Sequence, residues 1–415
     1  MDTFIYYIEG FIFYYPLCMS MFWMLGGLLF YFRREVGVDT KKRPELKSYP
    51  LVSVLIPAHN EEQDIADTVR SVLNTAYPHL EVIVVNDAST YNTLGVLQEL
   101  SKKYSNVRVL NLEVNMGKAN GLNLAYAMSK GDIIFTIDAD CLIGKNSIHW
   151  MVQHFINYPR VGAVTGNPRV RNRTSLLAKI QTVEYSSVVG LIKRTQIILG
   201  KVMTVSGVIV AWRRSALISC GLWSNEMITD DIDMTWKLER KFWSVRYEAN
   251  AVCWMLVPET LSGLWKQRKR WAQGGVEVVR KYRSIFSSYK QRRIWPIYLD
   301  YCLGILWAHA FLIGMIFYAL LALGVFYHPY YSVGNMFFNW NGAVISVFCV
   351  LQFIVSCFVD YKYDYQLWRV YFYVVWYPVV YWAFNALAVV CVTWKGLTKP
   401  MDKNAVWVSP DRGIR

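Results

Sequence analysis

Short apolar runs alternate with amphipathic stretches through the middle of this chain, and long apolar runs lie towards both ends. After a polar linker over residues 36–50, Leu51 to Pro57 reads as a buried strand. Asn60 then stands where it can cap a helix, with Gln63 three residues on as in a capping box. Ile65, Val69, Val72 and Leu73 give that helix one apolar face. Leu80 to Val85 predicts a second strand, and Leu94, Leu97 and Leu100 a second helix. Val107 to Leu112 predicts a third strand, Leu122, Ala125 and Met128 a third helix, and Asp132 to Ile137 a fourth strand. This β-α-β-α-β-α-β order predicts an α/β domain with a mostly parallel sheet and helices on both faces. Ligands in such sheets bind beyond the carboxyl ends of the strands, so residues just after each strand are the first candidates for chemistry.

The terminal runs are of another kind. Phe11 to Phe32 has no charged residue, and Arg33 and Arg34 follow it. Ile297 to Tyr331 carries one carboxylate, Asp300, while Gly342 to Val359 and Val370 to Trp394 carry no charge. An apolar helix of about 20 residues crosses a hydrocarbon core roughly 30 Å thick, so four spans are expected, one before and three after the polar middle. The first run is too long for a cleaved signal and lacks its basic start and small-residue exit. Arg33, Arg34, Lys41, Lys42 and Arg43 place the middle of the chain in the cytoplasm and the N-terminus outside. Three further spans put the C-terminus outside as well. Lys395, Lys399, Lys403, Arg412 and Arg415 favour the opposite side, and a stretch that does not cross fully would reconcile the two.

Composition agrees with a membrane protein: 54% of residues are hydrophobic and 18% charged. The net charge of +14 does not require nucleic acid, because much of the excess lies at membrane boundaries. Lys266 to Arg293 is dense in Lys and Arg, has Glu277 as its one carboxylate, and is interleaved with Trp265, Trp271, Tyr282, Phe286 and Tyr289. That suits a helix on an anionic leaflet of membrane lipids. The eight cysteines show no C-x-x-C spacing, which argues against a disulfide framework or a zinc site. The expected division is a membrane helix over 1–35, a linker over 36–50 and a cytosolic domain over 51–258. An amphipathic interfacial segment over 259–295, membrane helices over 296–394 and a basic tail over 395–415 follow.

Several acidic residues fall where the sheet rule points. Asn60 and Glu61 follow the first strand, Asp87 the second, and Asp138 and Asp140 the fourth. Carboxylates gathered at one sheet edge suit a ribose, a uracil and a divalent Mg²⁺ or Mn²⁺ bound to diphosphate. A cap on a turn is the simpler reading of any one of them. Lys118 opens the third helix, where it can hold a diphosphate or lie solvated. Asp230, Asp231 and Asp233 open a later helix; a helix dipole favours acids there, but three in four positions exceed what a cap needs, and one of them can serve as a general base. In Gln267-Arg268-Lys269-Arg270-Trp271, Arg270 can neutralise a departing diphosphate and Trp271 can stack on a sugar; an interfacial basic helix is the alternative.

Taken in order, Val54-Leu55-Ile56-Pro57-Ala58-His59-Asn60-Glu61, Val85-Asn86-Asp87-Ala88-Ser89, Asp138-Ala139-Asp140, Thr229-Asp230-Asp231 and Gln267-x-x-Arg270-Trp271 resemble the processive family-2 glycosyltransferases, the group of cellulose, chitin and hyaluronan synthases. Gly162 to Arg169, Glu184 to Ser187, Gly190 to Arg194, Pro258 to Leu261, Gly263 to Arg268, Arg270 to Gly275 and Ser409 to Gly413 bring it nearest to the branch making poly-β-1,6-N-acetylglucosamine, over nearly the whole chain. The resemblance implies a glycosyltransferase A-type domain inserted between transmembrane helices, and inverting transfer from UDP-N-acetylglucosamine to a growing polysaccharide exported across the bacterial inner membrane. It implies that Ala58, Asn60, Glu61, Asp87, Lys118 and Asp138 bind the UDP-sugar, that Asp138 and Asp140 hold the metal, and that Asp231 is the base. Gln267, Arg270, Trp271, Asp230, Ser206 and Gly207 would line the junction of leaving group and acceptor. Two positions depart from the group's pattern: Ala88 stands where Gly is usual, and Asp230 where Glu is usual.

The resemblance also implies a small two-helix membrane subunit as partner, with cyclic di-GMP acting through it. Arg169-x-x-x-Arg173 has the spacing of half a binding motif for that nucleotide, without the other half. The alternatives are a non-processive enzyme with a lipid acceptor, a synthase of another β-linked polysaccharide, and an inactive sugar-binding or export subunit.

Overall fold

The computed structural model describes residues 2–328 and 340–400. Its α/β domain is built on an eight-stranded sheet in the order β3-β2-β1-β4-β7-β6-β8-β5. The strands are β1 (Val52–Ala58), β2 (Leu80–Asp87), β3 (Val107–Leu112), β4 (Ile133–Ile137), β5 (Leu142–Ile143), β6 (Val161–Val170), β7 (Ile209–Arg213) and β8 (Ser244–Met255). The first four are parallel, as their alternation with helices requires. β7 enters antiparallel beside β4, with Ile137 opposite Ile209. Every residue of β1, β4 and β6 is buried, which is why these strands read as continuous apolar runs.

Helices α2 (Ile65–Leu73), α3 (Thr93–Lys103), α4 (Lys118–Met128) and α5 (Ser147–Asn157) cover the sheet, with α6 (Leu176–Tyr185), α7 (Ile192–Leu199), α8 (Arg214–Cys220) and α9 (Asp230–Arg240). Asn60 does not cap α2, whose N-cap is Asp64. Asn60 instead adopts a left-handed φ of 59°, and its Oδ1 accepts from the Thr90 N–H and hydroxyl, tying the end of β1 to the loop after β2. A competing local hydrogen bond has drawn the side chain away from the helix.

Among the described residues, three helices are long and apolar enough to cross a membrane. They are α1 (Asp2–Arg34), α11 (Trp295–Ala322) and α12 (Trp340–Asp360), with α10 (Leu261–Lys281) preceding the second. The end of the second expected run, beyond residue 328, lies outside the described residues. The fourth expected span is not a continuous helix. Residues 367–381 form a short α-turn, a 3₁₀ turn and a π turn that contains Pro378, and an α-helix resumes only at Trp382–Thr398. Proline lacks the N–H that a regular helix needs. That last helix packs on α10 and α11, and Lys399 after it pairs with Glu277 of α10 at 3.3 Å. Lys399 therefore sits against α10.

Buried ion pairs join the membrane helices to the domain. Arg169 on β6 meets Asp360 at the end of α12 at 2.6 Å, and Arg194 on α7 meets both Asp360, at 2.9 Å, and Glu35 after α1, at 2.6 Å. Arg173 pairs with Asp364. The Arg169-x-x-x-Arg173 spacing thus matches Asp360-x-x-x-Asp364, and both guanidiniums are committed to α12 and the residues just after it. Helix α10 buries one face, with Leu264, Gln267, Arg268, Ala272 and Val276, against the rest of the protein.

Candidate active site

One side of the site is built at the ends of β1 and β2. Ala58, the last residue of β1, lies opposite Asn86 and is fully buried. The Glu61 N–H donates to Thr93 Oγ1 at 3.0 Å, and its side chain is 3% exposed. Asp87 accepts from the Met116 and Gly117 N–H groups at 2.8 and 2.9 Å, so it fixes the turn that opens α4. Ala88 sits at φ 50°, a conformation that costs a side-chain-bearing residue energy and explains why glycine is usual in its place.

Asp87 in turn aims Lys118 across the sheet edge. Lys118 Nζ lies 2.6 Å from Asp138 Oδ1. Burial disfavours its charge, yet Asp138, Asp230 and Asp231 together raise its pKa above the ordinary lysine value. Four sequence-expected residues therefore converge: Lys118 from α4, Asp138 from the end of β4, and Asp230 and Asp231 from the first turn of α9. Burial pushes the Asp230 carboxyl up to about 6; Lys118 opposes this, while Asp231 and Asp138 add to it. Asp233 does not join them. It is bound by Ser224, Tyr282 and Lys281 in a buried network.

The loop holding Ser206 and Gly207 meets Asp231. Ile209 pairs with Ile137, and the Asp138 N–H donates to Val208 O at 3.3 Å, which brings Ser206 and Gly207 beside the carboxylates. The Gly207 N–H points to Asp231 Oδ2 at 3.4 Å, and a Cβ on Gly207 would stand 3.3 Å from that carboxylate. The Ser206 hydroxyl accepts from Lys193 Nζ at 2.6 Å. Lys193 lies within the Gly190 to Arg194 segment of the resemblance, but nothing in the sequence pattern assigns it to the site.

Helix α10 borders the site, with Gly274 packed on Thr229. Gln267 is buried, Arg270 is exposed, and Trp271 packs on the sheet's core with its ring edge to Tyr185. Tyr185 lies within electrostatic reach of both Arg270 and Asp140. Arg268, an unassigned position in the sequence pattern, is the anchor. It pairs with Glu184 at 2.6 Å and lies over the Trp271 ring at 4.7 Å.

Among the described residues no group of three or more His, Cys, Asp or Glu forms a closed metal cage. Asp138 and Asp140 offer two carboxylates from one turn, with the Cys141 thiol donating to Asp140 Oδ1 at 3.1 Å. Mg²⁺ and Mn²⁺ in nucleotide sites take one or two carboxylates and fill the remaining positions with phosphate oxygens and water, so the residues present fit such an ion.

Comparison with known proteins agrees with this geometry. The model of the family described as "Glycosyltransferase like family 2" matches residues 50–274. A poly-beta-1,6-N-acetyl-D-glucosamine synthase of Staphylococcus aureus (strain COL) is 38% identical, covering 97% of this chain and 98% of that protein. The synthase of the same name from Staphylococcus epidermidis is 36% identical, covering 98% and 99%. A mannosyltransferase from Pyrobaculum calidifontis, in complex with GDP-Man and Mn²⁺, superposes with a TM-score of 0.61 at 20% identity, covering 93% of this chain and 99% of that one. That likeness establishes a shared fold. The chain therefore belongs to glycosyltransferase family 2 and is an inverting, membrane-associated glycosyltransferase with an A-type catalytic domain.

Proposed function

We propose that this enzyme transfers N-acetylglucosamine from UDP-N-acetylglucosamine to a growing β-1,6-linked polysaccharide, and moves the polymer out through its membrane helices as it grows. The observation that carries this is the convergence of Lys118, Asp138, Asp230 and Asp231 at the carboxyl end of the sheet, in a chain alignable end to end with poly-beta-1,6-N-acetyl-D-glucosamine synthases.

On this reading the acceptor 6-hydroxyl gives its proton to Asp231 as its oxygen attacks the anomeric carbon. The bond from that carbon to the diphosphate breaks on the opposite face, and UDP leaves. Asp231 is the choice over Asp230 because its carboxylate faces Gly207 in the acceptor loop. Asn60, Glu61 and Asp87 hold the uridine, and Lys118 and Arg270 receive the charge developing on the diphosphate. Asp138 and Asp140 would hold Mg²⁺ or Mn²⁺, which when bound neutralises the same diphosphate.

A cavity of 320 Å³ between α1, α11, α12 and the last helix supports export. Trp23, Trp307, Tyr377 and Trp382 line it together with Ser20, Gln352 and Asp300, and aromatic faces with scattered polar groups suit a sugar chain. Three crossings with a cytoplasmic catalytic domain put the N-terminus outside and the C-terminus inside, which agrees with the basic residues at both boundaries. A small two-helix subunit would accompany the chain, with any cyclic di-GMP control acting through it.

The test is synthesis from radiolabelled UDP-N-acetylglucosamine by membranes holding this protein with and without such a subunit. Long product cleaved by a β-1,6-N-acetylglucosaminidase is expected. Short or lipid-linked product would contradict processivity, and no turnover under either condition would contradict the substrate.

A further inference from the structure

One lysine in the site has no part in the mechanism so far. Lys193 on α7 is 4% exposed, and its ammonium donates one hydrogen bond, to Ser206 Oγ at 2.6 Å. An ammonium has three N–H donors, so among the described residues two are left without a partner in a buried position. Such donors are costly to leave unmade, and a group that pays this cost commonly waits for a ligand. Burial pushes the Lys193 ammonium down to about 7, with the Asp231 carboxylate acting the other way.

Its surroundings say which ligand. The Ser206 N–H is fixed by Thr165 Oγ1 at 2.8 Å, so the hydroxyl that Lys193 touches belongs to a held loop. The next residue, Gly207, faces Asp231. On the other side, Ile192, one residue earlier, and Ser187 and Val188, on the π turn that feeds α7, line the cavity between the membrane helices. Lys193 thus links the helix that borders the cavity to the loop that faces the carboxylate proposed to take the acceptor's proton. A sugar reaching Asp231 from the cavity presents hydroxyl and acetamido oxygens to it.

We propose that Lys193, with Ser206, binds the terminal sugar of the acceptor through such an oxygen and so sets the reacting hydroxyl on Asp231. This rests on the transfer reaction proposed above, and it assigns a specific contact for the acceptor rather than the donor.

The test uses the full chain in lipid nanodiscs with a short β-1,6-linked N-acetylglucosamine oligosaccharide as added acceptor. Wild type is first shown to bind UDP and to extend the oligosaccharide saturably. In Lys193→Met and in Ser206→Ala, the acceptor KM is expected to rise at least about tenfold, the scale of one charge-assisted hydrogen bond. The donor KM and UDP affinity should stay within about twofold, and retained UDP binding shows that the variants fold. An unchanged acceptor KM with a lower kcat, or a loss of UDP affinity matching the loss of transfer, overturns the proposal. A wild type that binds UDP but extends no such oligosaccharide overturns the substrate reading itself, and the proposal with it, before any variant is compared.

Discussion

Gly274 of α10 packs so tightly on Thr229 that a Cβ there would overlap both the Cγ2 and the Oγ1 of the threonine. Thr229 immediately precedes the Asp230–Asp231 pair, so this contact sets the distance between the Gln-x-x-Arg-Trp helix and the proposed base. Gly274→Ala must push one helix from the other. Misplacement of about 1 Å near a reacting centre can cost on the order of a hundredfold, so transfer should fall at least about tenfold with UDP affinity nearly unchanged. Steady-state transfer beside a UDP titration checks this.

The pairing of Lys118 with Asp138 leads to a second expectation. The ammonium that screens three aspartates is the one proposed to meet the diphosphate. Lys118→Met should weaken UDP binding by roughly 10- to 100-fold, the scale of a hydrogen bond to a charged group of about 1.5–3 kcal/mol. Calorimetric titration with UDP measures it directly, and an unchanged affinity would remove Lys118 from the donor site.

Glu239 provides a pH test away from the chemistry. It is 2% exposed, its Oε1 accepts from the Val202 N–H at 2.8 Å, and burial pushes its carboxyl up to about 7, against the pull of Lys201 and that N–H. Its pKa is higher in the folded than in the unfolded chain. The folded form therefore holds a proton between about 4.5 and 7 that the unfolded form has lost, and the stability this gives fades as pH rises through 7. Glu239→Gln should raise the melting temperature at pH 8 and change it little at pH 5. Thermal unfolding of wild type and variant at the two pH values decides it.

Asp360 compensates Arg169 and Arg194 at once, inside the protein. Asp360→Asn keeps the shape and removes the charge, leaving the buried Arg169 without its carboxylate partner and Arg194 with Glu35 alone. Breaking a buried pair in this way costs about 3–5 kcal/mol, so the variant should unfold at a clearly lower temperature in detergent. An unshifted melting temperature would mean that α12 is not clamped to the domain through this residue.

Much of this architecture is legible in the residues. Val107–Leu112 is a strand over the same span that its apolar pattern predicts, and α2 ends at Leu73, where its apolar face does. The carboxylates of the site are visible because each follows a strand or opens a helix, positions that backbone topology brings to one edge. What escapes detection depends on long-range contacts. β7 is a five-residue strand whose antiparallel direction follows from where the chain returns rather than from its own pattern. Asn60 resembles a helix cap until Thr90, thirty residues on in sequence, competes for its side chain. The run from Val370 to Trp394 is apolar enough to span, and only Pro378 hints at the break. Lys193 and Arg268 look like surface charges on helices, because their partners Ser206 and Glu184 lie on other elements.

The most direct test of the proposed centre is Asp231→Asn, read as transfer and UDP binding on the same preparation. Loss of a general base costs about a hundredfold to ten-thousandfold in rate, while a carboxamide of the same shape leaves the donor site intact. The account predicts that sugar transfer falls by at least about a hundredfold and that UDP still binds with near wild-type affinity. Polymer synthesis at the wild-type rate by this variant would contradict it.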